Sequence, residues 1–156
     1  MIHHFQFQTP WTGGGNDSAT IHAGNLQTAV SIPKNMGGPG IGTNPDEMLL
    51  GAAATCYIIT LAAMLERSGI DAQIDLQSHA QVDVTNGVFT YKRITHMPTI
   101  TLAVKTEARK RDVAQRYAQK AEETCMISKA LRGNVDIDVQ AIVTVQDELE
   151  ERGFIE

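Results

Sequence analysis

Cys56 and Cys125 are the only thiols in the chain, and they stand 69 positions apart. That separation excludes the Cys-x-x-Cys pattern shared by redox motifs and zinc sites. His3, His4, His22, His79 and His96 fall at no ligand spacing around either cysteine, so no metal and no other cofactor is expected. Two roles remain open for the thiols. One is inert packing, which periodicity alone favours, since free cysteine is among the most buried residue types. The other is thiol redox chemistry, which requires a thiolate. Burial in an apolar helix raises a thiol pKa, so a nearby cation would have to reverse that penalty. No charged residue lies within two helical turns of Cys56, which leaves Lys34, Lys120 and Lys129 as candidates.

The elements that must position these residues can be read from pattern. Asn44 as N-cap, Pro45 at the first helical position, and Asp46 and Glu47 in the first turn predict a helix from Pro45 to Ser68, stopped by Gly69. Cys56 sits in its uncharged stretch, Leu49 to Leu65, which is near the length of a membrane span but too rich in alanine and threonine, and reads as a buried core helix. A second amphipathic helix is expected from Glu107 to about Leu131, with Val113, Tyr117, Ala121 and Cys125 on its apolar stripe. Between the helices, alternating runs around Asn86-Gly87 predict a hairpin, and Thr99–Val104 a third strand completing an antiparallel meander. Val135–Val145 predicts a closing strand.

Ahead of the first helix, Met1–Ile32 reads as short strands containing Phe5, Phe7, Ile21 and Val30, with a turn cluster at Thr12–Asp17. Gly13-Gly14-Gly15 lacks the following Gly-Lys-Ser/Thr helix of a phosphate cradle and is assigned no chemistry. Trp11 beside it is expected as a surface-capping or interface aromatic. The glycine- and proline-rich stretch Pro33–Thr43 must be a loop, and Met36, Met48 and Met64 are read as packing, with Met36 also placed to line an entrance for an apolar substrate. The tail from Asp147 is expected as a solvated short helix or end strand. Strands, helix, meander, helix and strand make one α+β domain over residues 1–156.

Composition narrows the function classes. A net charge of −5, with no basic run longer than Arg109-Lys110-Arg111, gives no footprint for nucleic acid. The N-terminus lacks the pattern of a secretory signal, so a cytoplasmic protein with no membrane partner is expected.

Asn44-Pro45-Asp46-Glu47-Met48-Leu49-Leu50-Gly51-Ala52-Ala53-Ala54-Thr55-Cys56 resembles the central-helix signature of the OsmC/Ohr family, Asn-Pro-Glu followed by small residues and a cysteine. Cys125-Met126-Ile127-Ser128-Lys129-Ala130-Leu131, followed by Arg132-Gly133-Asn134-Val135, looks like the family's second cysteine segment and closing strand. The resemblance covers nearly the whole chain. It implies an intertwined homodimer in which antiparallel sheets wrap two central helices, with two active sites at the interface.

The resemblance also implies a thiol peroxidase acting on organic or hydrogen peroxides in oxidative stress defence. Cys56 is then the peroxidatic thiolate, Cys125 the resolving thiol, and a dithiol or small thiol the reductant. The family's orienting carboxylate falls on Asp46, one methylene shorter than the usual glutamate, with Glu47 beside it. Ten residues of helix, about 15 Å, separate Asp46 from Cys56, so Asp46 would serve the partner subunit's Cys56. No arginine precedes Arg67, which leaves Lys34 as the nearest candidate for the family's arginine. A redox sensor, or a ligand-binding dimer with inert cysteines, are the alternatives on the same scaffold.

Overall fold

A computed structural model of the chain describes residues 1–146, so the expected tail element lies outside the described residues. Two compact units divide the chain, residues 1–49 and the part from Leu50 onward.

In the first unit, β1 (Ala19–Ala23) and β2 (Leu26–Val30) pair as an antiparallel hairpin. Gly24 closes it at φ 60°, a conformation that glycine adopts without a Cβ clash. The turn cluster Thr12–Asp17 precedes this hairpin instead of joining its strands. There the Trp11 indole N–H donates to the Gly14 carbonyl at 3.1 Å, so the tryptophan caps the turn as expected. Phe5 and Phe7 are exposed and lie outside the strands; the bridge Gln8–His22 is too short a ladder to bury them. Pro33–Thr43 is a loop containing one 3-10 turn, Lys34–Met36. It is tied back where the Ser31 hydroxyl donates to the Ile41 carbonyl (2.8 Å) and accepts from the Ile41 N–H (2.7 Å).

Helix α1 (Pro45–Arg67) begins as the capping pattern predicts: the Glu47 N–H donates to Asn44 Oδ1 at 2.9 Å, and the Thr43 hydroxyl donates to the Glu47 carboxylate at 2.7 Å. Gly69, at φ 62°, ends it, with the Ile70 N–H returning to the Leu65 carbonyl at 3.0 Å.

The second unit is built on a hairpin of two long strands, β3 (Ala72–Thr85) and β4 (Val88–Leu102), turning at Asn86-Gly87 with both residues at positive φ. Thr99–Leu102, expected as a third strand, is instead the end of β4. The antiparallel meander is corrected accordingly: β5 (Asp136–Val139) and β6 (Ile142–Val145) both pair with β4 in parallel. A parallel neighbour is what the intervening helical crossover permits. Pro98, which has no N–H to donate, falls in the gap between the β5 ladder, ending at His96, and the β6 ladder, beginning at Thr99.

The predicted second helix is two: α2 (Ala108–Thr124) and α3 (Met126–Leu131), broken at Cys125, whose ψ of 128° is extended. Alanines 114, 118 and 121 of α2 pack with Tyr57, Leu61 and Leu65 of α1 and with Ile100 and Leu102 of β4. Only one stripe of α1 is buried: Ala53, Tyr57, Leu61 and Leu65. The opposite stripe, Ala52, Thr55, Ile59 and Ala62, is exposed, so the burial expected of a core helix is met on one face of α1 within the single chain. By length and composition α1 could cross a membrane.

His96 is fully buried in this core. Its ring stacks on Tyr57 with centroids 4.5 Å apart and accepts or donates one bond with the Ser78 hydroxyl at 2.7 Å, while Nε2 has no partner. Burial pushes its pKa down to about 4. A histidine held neutral stabilises the fold fully above the unfolded value near 6.5, and loses that stabilisation as pH falls toward its folded value. Unfolding free energy should therefore drop by roughly 3 kcal/mol between pH 6.5 and 4 on account of His96. His96→Phe, which keeps a ring against Tyr57, should flatten that slope in denaturant titrations across the range; an unchanged slope would assign it to other groups.

Candidate active site

The second unit contains both thiols, carried by elements that meet in its core. Cys56 lies in mid-helix on α1, half-buried, one residue before Tyr57, whose hydroxyl donates to the Ala118 carbonyl of α2 at 2.9 Å. Cys125 is fully buried at the joint between α2 and α3. As the residue that ends α2, it donates its N–H to the Ala121 carbonyl at 2.9 Å, and as the residue that opens α3, it accepts from the Lys129 N–H at 3.0 Å. Both cysteines are free, and their sulfurs are 2.7 Å apart. A disulfide needs about 2.05 Å, so bond formation requires only a small approach.

The pair is electrostatically unequal. Burial raises the Cys56 pKa, but the Cys125 thiol, the backbone N–H groups of Ile127 and Met126 and the Thr60 hydroxyl all hydrogen-bond its thiolate, and the balance lies below the ordinary thiol value. Cys125 goes the other way: burial raises it, donation to Cys56 raises it further, and the opposing bonds from Ser128 and Ile127 do not compensate. Of the two, Cys56 is the thiol that ionises first, and the Cys125 thiol donates to its sulfur. The arrangement provides a nucleophilic thiolate beside a thiol able to condense with its oxidised form.

The structure thus brings together Cys56 and Cys125. It corrects the expectation of an activating cation within this unit, since the groups that lower Cys56 are hydrogen-bond donors. Lys120 pairs with Glu123 at 3.0 Å, and Lys129 is an exposed residue of α3. Lys34 and Asp46 belong to the first unit, on the 3-10 turn and in the first turn of α1. Thr60 was legible in principle, lying four residues beyond Cys56; its single hydroxyl proton is shared between the Cys56 carbonyl, at 2.8 Å, and the sulfur. The N–H donors of Met126 and Ile127 carry no side-chain signature and follow from the helix break alone.

Among the described residues, no group of three or more His, Cys, Asp and Glu side chains could hold a metal. The sequence profile of OsmC-like proteins matches residues 37–140. An uncharacterized protein of Bacillus subtilis, YmaD, is 54% identical over 94% of this chain and 98% of its own length. The organic hydroperoxide resistance protein OhrB of the same organism is 29% identical over 82% of this chain and 90% of its own. In structure, an organic hydroperoxide resistance protein OsmC from Legionella pneumophila superposes with a TM-score of 0.73, at 22% identity, over 92% of this chain and 99% of its own. With the profile spanning most of the chain and a relative above half identity, this protein belongs to the OsmC-like family and has its α+β fold.

Proposed function

We propose that the chain is a cytoplasmic cysteine peroxidase that reduces organic or hydrogen peroxides and is reset by a dithiol or small thiol. The observation that carries this reading is the 2.7 Å contact between two free thiols of opposite pKa bias. The Cys56 thiolate attacks the outer peroxide oxygen; the O–O bond breaks, an alcohol leaves after taking a proton, and a sulfenic acid remains on Cys56. The Cys125 sulfur displaces the sulfenic oxygen as water, forming the Cys56–Cys125 disulfide. Two reductant thiols then return both cysteines to the reduced state. The organic hydroperoxide resistance names of relatives such as OhrB favour an organic peroxide.

The working unit in this proposal is a homodimer. Ala52, Thr55, Ile59 and Ala62 form an exposed stripe at helical spacing, with Ile59 62% exposed, and a second copy of α1 is a suitable cover for it. The partner subunit's Asp46 would then orient Cys56, with Lys34 taking the place of the family's arginine. A lysine supplies charge without arginine's planar fork.

Peroxide consumption driven by a dithiol should be abolished in Cys56→Ser with the dimer retained; turnover equal to the parent would overturn the peroxidase reading. The Cys56 pKa, read from pH-dependent alkylation, should lie below that of a free thiol. Cys125→Ala should raise it by removing a donor, and Thr60→Val should do so more weakly. Ile59→Glu should shift the protein from dimer to monomer in sedimentation, since it would bury a carboxylate at the proposed contact.

A further inference from the structure

Three side-chain bonds tie α1 and the turn after it to α2. Lys110 donates to the Gly69 carbonyl at 2.9 Å, the Ser68 and Tyr117 hydroxyls share a bond of 2.8 Å, and the Tyr57 hydroxyl donates to the Ala118 carbonyl at 2.9 Å. The first two are exposed and lie at the end of α1, about 18 Å of helix rise beyond Cys56. The third is buried and adjoins the thiols. Tyr57 follows Cys56 directly and is fully buried. Its ring stacks on His96 with centroids 4.5 Å apart and planes 9° from parallel, and His96 is held in turn by Ser78 at 2.7 Å. The phenol is thereby confined to one orientation. Burial, with the charge of Glu122, keeps its pKa above the ordinary phenol value, so it stays a donor. At the other end of the bond, Ala118 stands two turns, about 10 Å of rise, before Cys125. The bond thus runs from the residue beside one thiol to the helix that ends in the other.

We propose that Tyr57 is a positioning residue for disulfide closure: its hydroxyl fixes the register of α2 on α1, and with it the 2.7 Å separation of the two sulfurs. The proposal rests on the reading above in taking Cys56 and Cys125 as the pair that closes. In closure the Cys125 sulfur bonds to the sulfur of the Cys56 sulfenic acid, the S–O bond breaks, and the oxygen leaves as water with the Cys125 proton. The new bond admits only about 2.05 Å, whereas two thiols tolerate a range of separations. Packing alone holds the register weakly, because the residues of α2 buried against α1 are Ala114, Ala118 and Ala121, too short to lock into its grooves. A slide of α2 along α1 is therefore open to the dithiol and closed to the disulfide. Tying the helices beforehand removes that freedom from the dithiol, which raises the effective concentration of one sulfur at the other.

The test compares the parent, Tyr57→Phe and Tyr117→Phe, equilibrated in dithiothreitol buffers of graded reduced-to-oxidised ratio, quenched in acid and weighed by mass spectrometry. The protein disulfide takes two electrons and two protons from dithiothreitol, which closes to its own cyclic disulfide, so no peroxide enters the measurement. Tyr57→Phe keeps the ring on His96 and should lower the thermal midpoint by only about 3 °C. It should disfavour the disulfide about fivefold, the factor carried by one net hydrogen bond. Tyr117→Phe removes the outer phenol tie and should leave the equilibrium at the parent's value. The pH profile of Cys56 alkylation should move upward in Tyr57→Phe alone, since Cys125 then donates from a less constrained distance. Placing 4-aminophenylalanine at position 57 restores a donor toward Ala118 and should bring both readings back toward the parent. An unshifted equilibrium in Tyr57→Phe, an equal shift in Tyr117→Phe, or no recovery with the amino group overturns the proposal. A shift found in a protein that turns over no peroxide would sink only the reading above.

Discussion

The contact between the two sulfurs is the constraint on which the rest of the second unit depends. Two thiols at 2.7 Å cannot both ionise, and neither can lie far from a donor if one of them does. The fold meets this by breaking the helical segment at Cys125. Had residues 108–131 formed one continuous helix, the N–H groups of Met126 and Ile127 would have been spent on carbonyls one turn earlier. The extended backbone at Cys125 frees them, and they are directed at the Cys56 sulfur. The break and the thiolate are one device.

Holding α1 against that break requires a close approach of helices, and the small residues of α2 provide it. Alanines 114, 118 and 121 of α2 lie against Tyr57 and Leu61 of α1, and the Tyr57 hydroxyl fastens to the Ala118 carbonyl. The ring of Tyr57 in turn stacks on His96 of β4, whose Nδ1 meets Ser78 on β3. A chain of contacts thus runs from the long hairpin through the aromatic pair to the residue beside Cys56. Polar atoms bought into a core by such a chain must be matched, and the unpaired Nε2 of His96 is the exception, tolerable only while the ring is neutral.

Much of this was legible in the sequence because it depends on side-chain type at fixed spacing. The N-cap Asn44, the stop at Gly69 and the Asn86-Gly87 turn are local chemistry and appear where expected. The pairing of Cys56 with Cys125 came from two motifs, not from periodicity, which by itself favoured packing. What stayed hidden is what residue type does not encode. The break falls at Thr124-Cys125, two residues of modest helix propensity between stretches of good helix formers, and a difference of that size does not by itself mark a break. The parallel pairing of β5 and β6 is a matter of topology, for which alternation gives no direction. The donors at Met126 and Ile127 are backbone, so side chains that look like packing residues conceal the groups that tune the thiol.

Backbone donors also suit this thiolate better than a side-chain cation within the same unit would. A thiolate cycles between charged and neutral forms, becoming part of a disulfide when oxidised. A buried lysine placed to neutralise it would be left without a partner at that point, and an uncompensated buried charge costs several kcal/mol. Backbone N–H groups at a helix start carry only partial charge, so losing the anion exposes a much smaller penalty, comparable to one unmade hydrogen bond. Oxidation and reduction can then alternate with little strain on the surrounding core. A side-chain cation suits such a site only where it has a carboxylate to fall back on, which is the arrangement proposed for Lys34 and the partner subunit's Asp46.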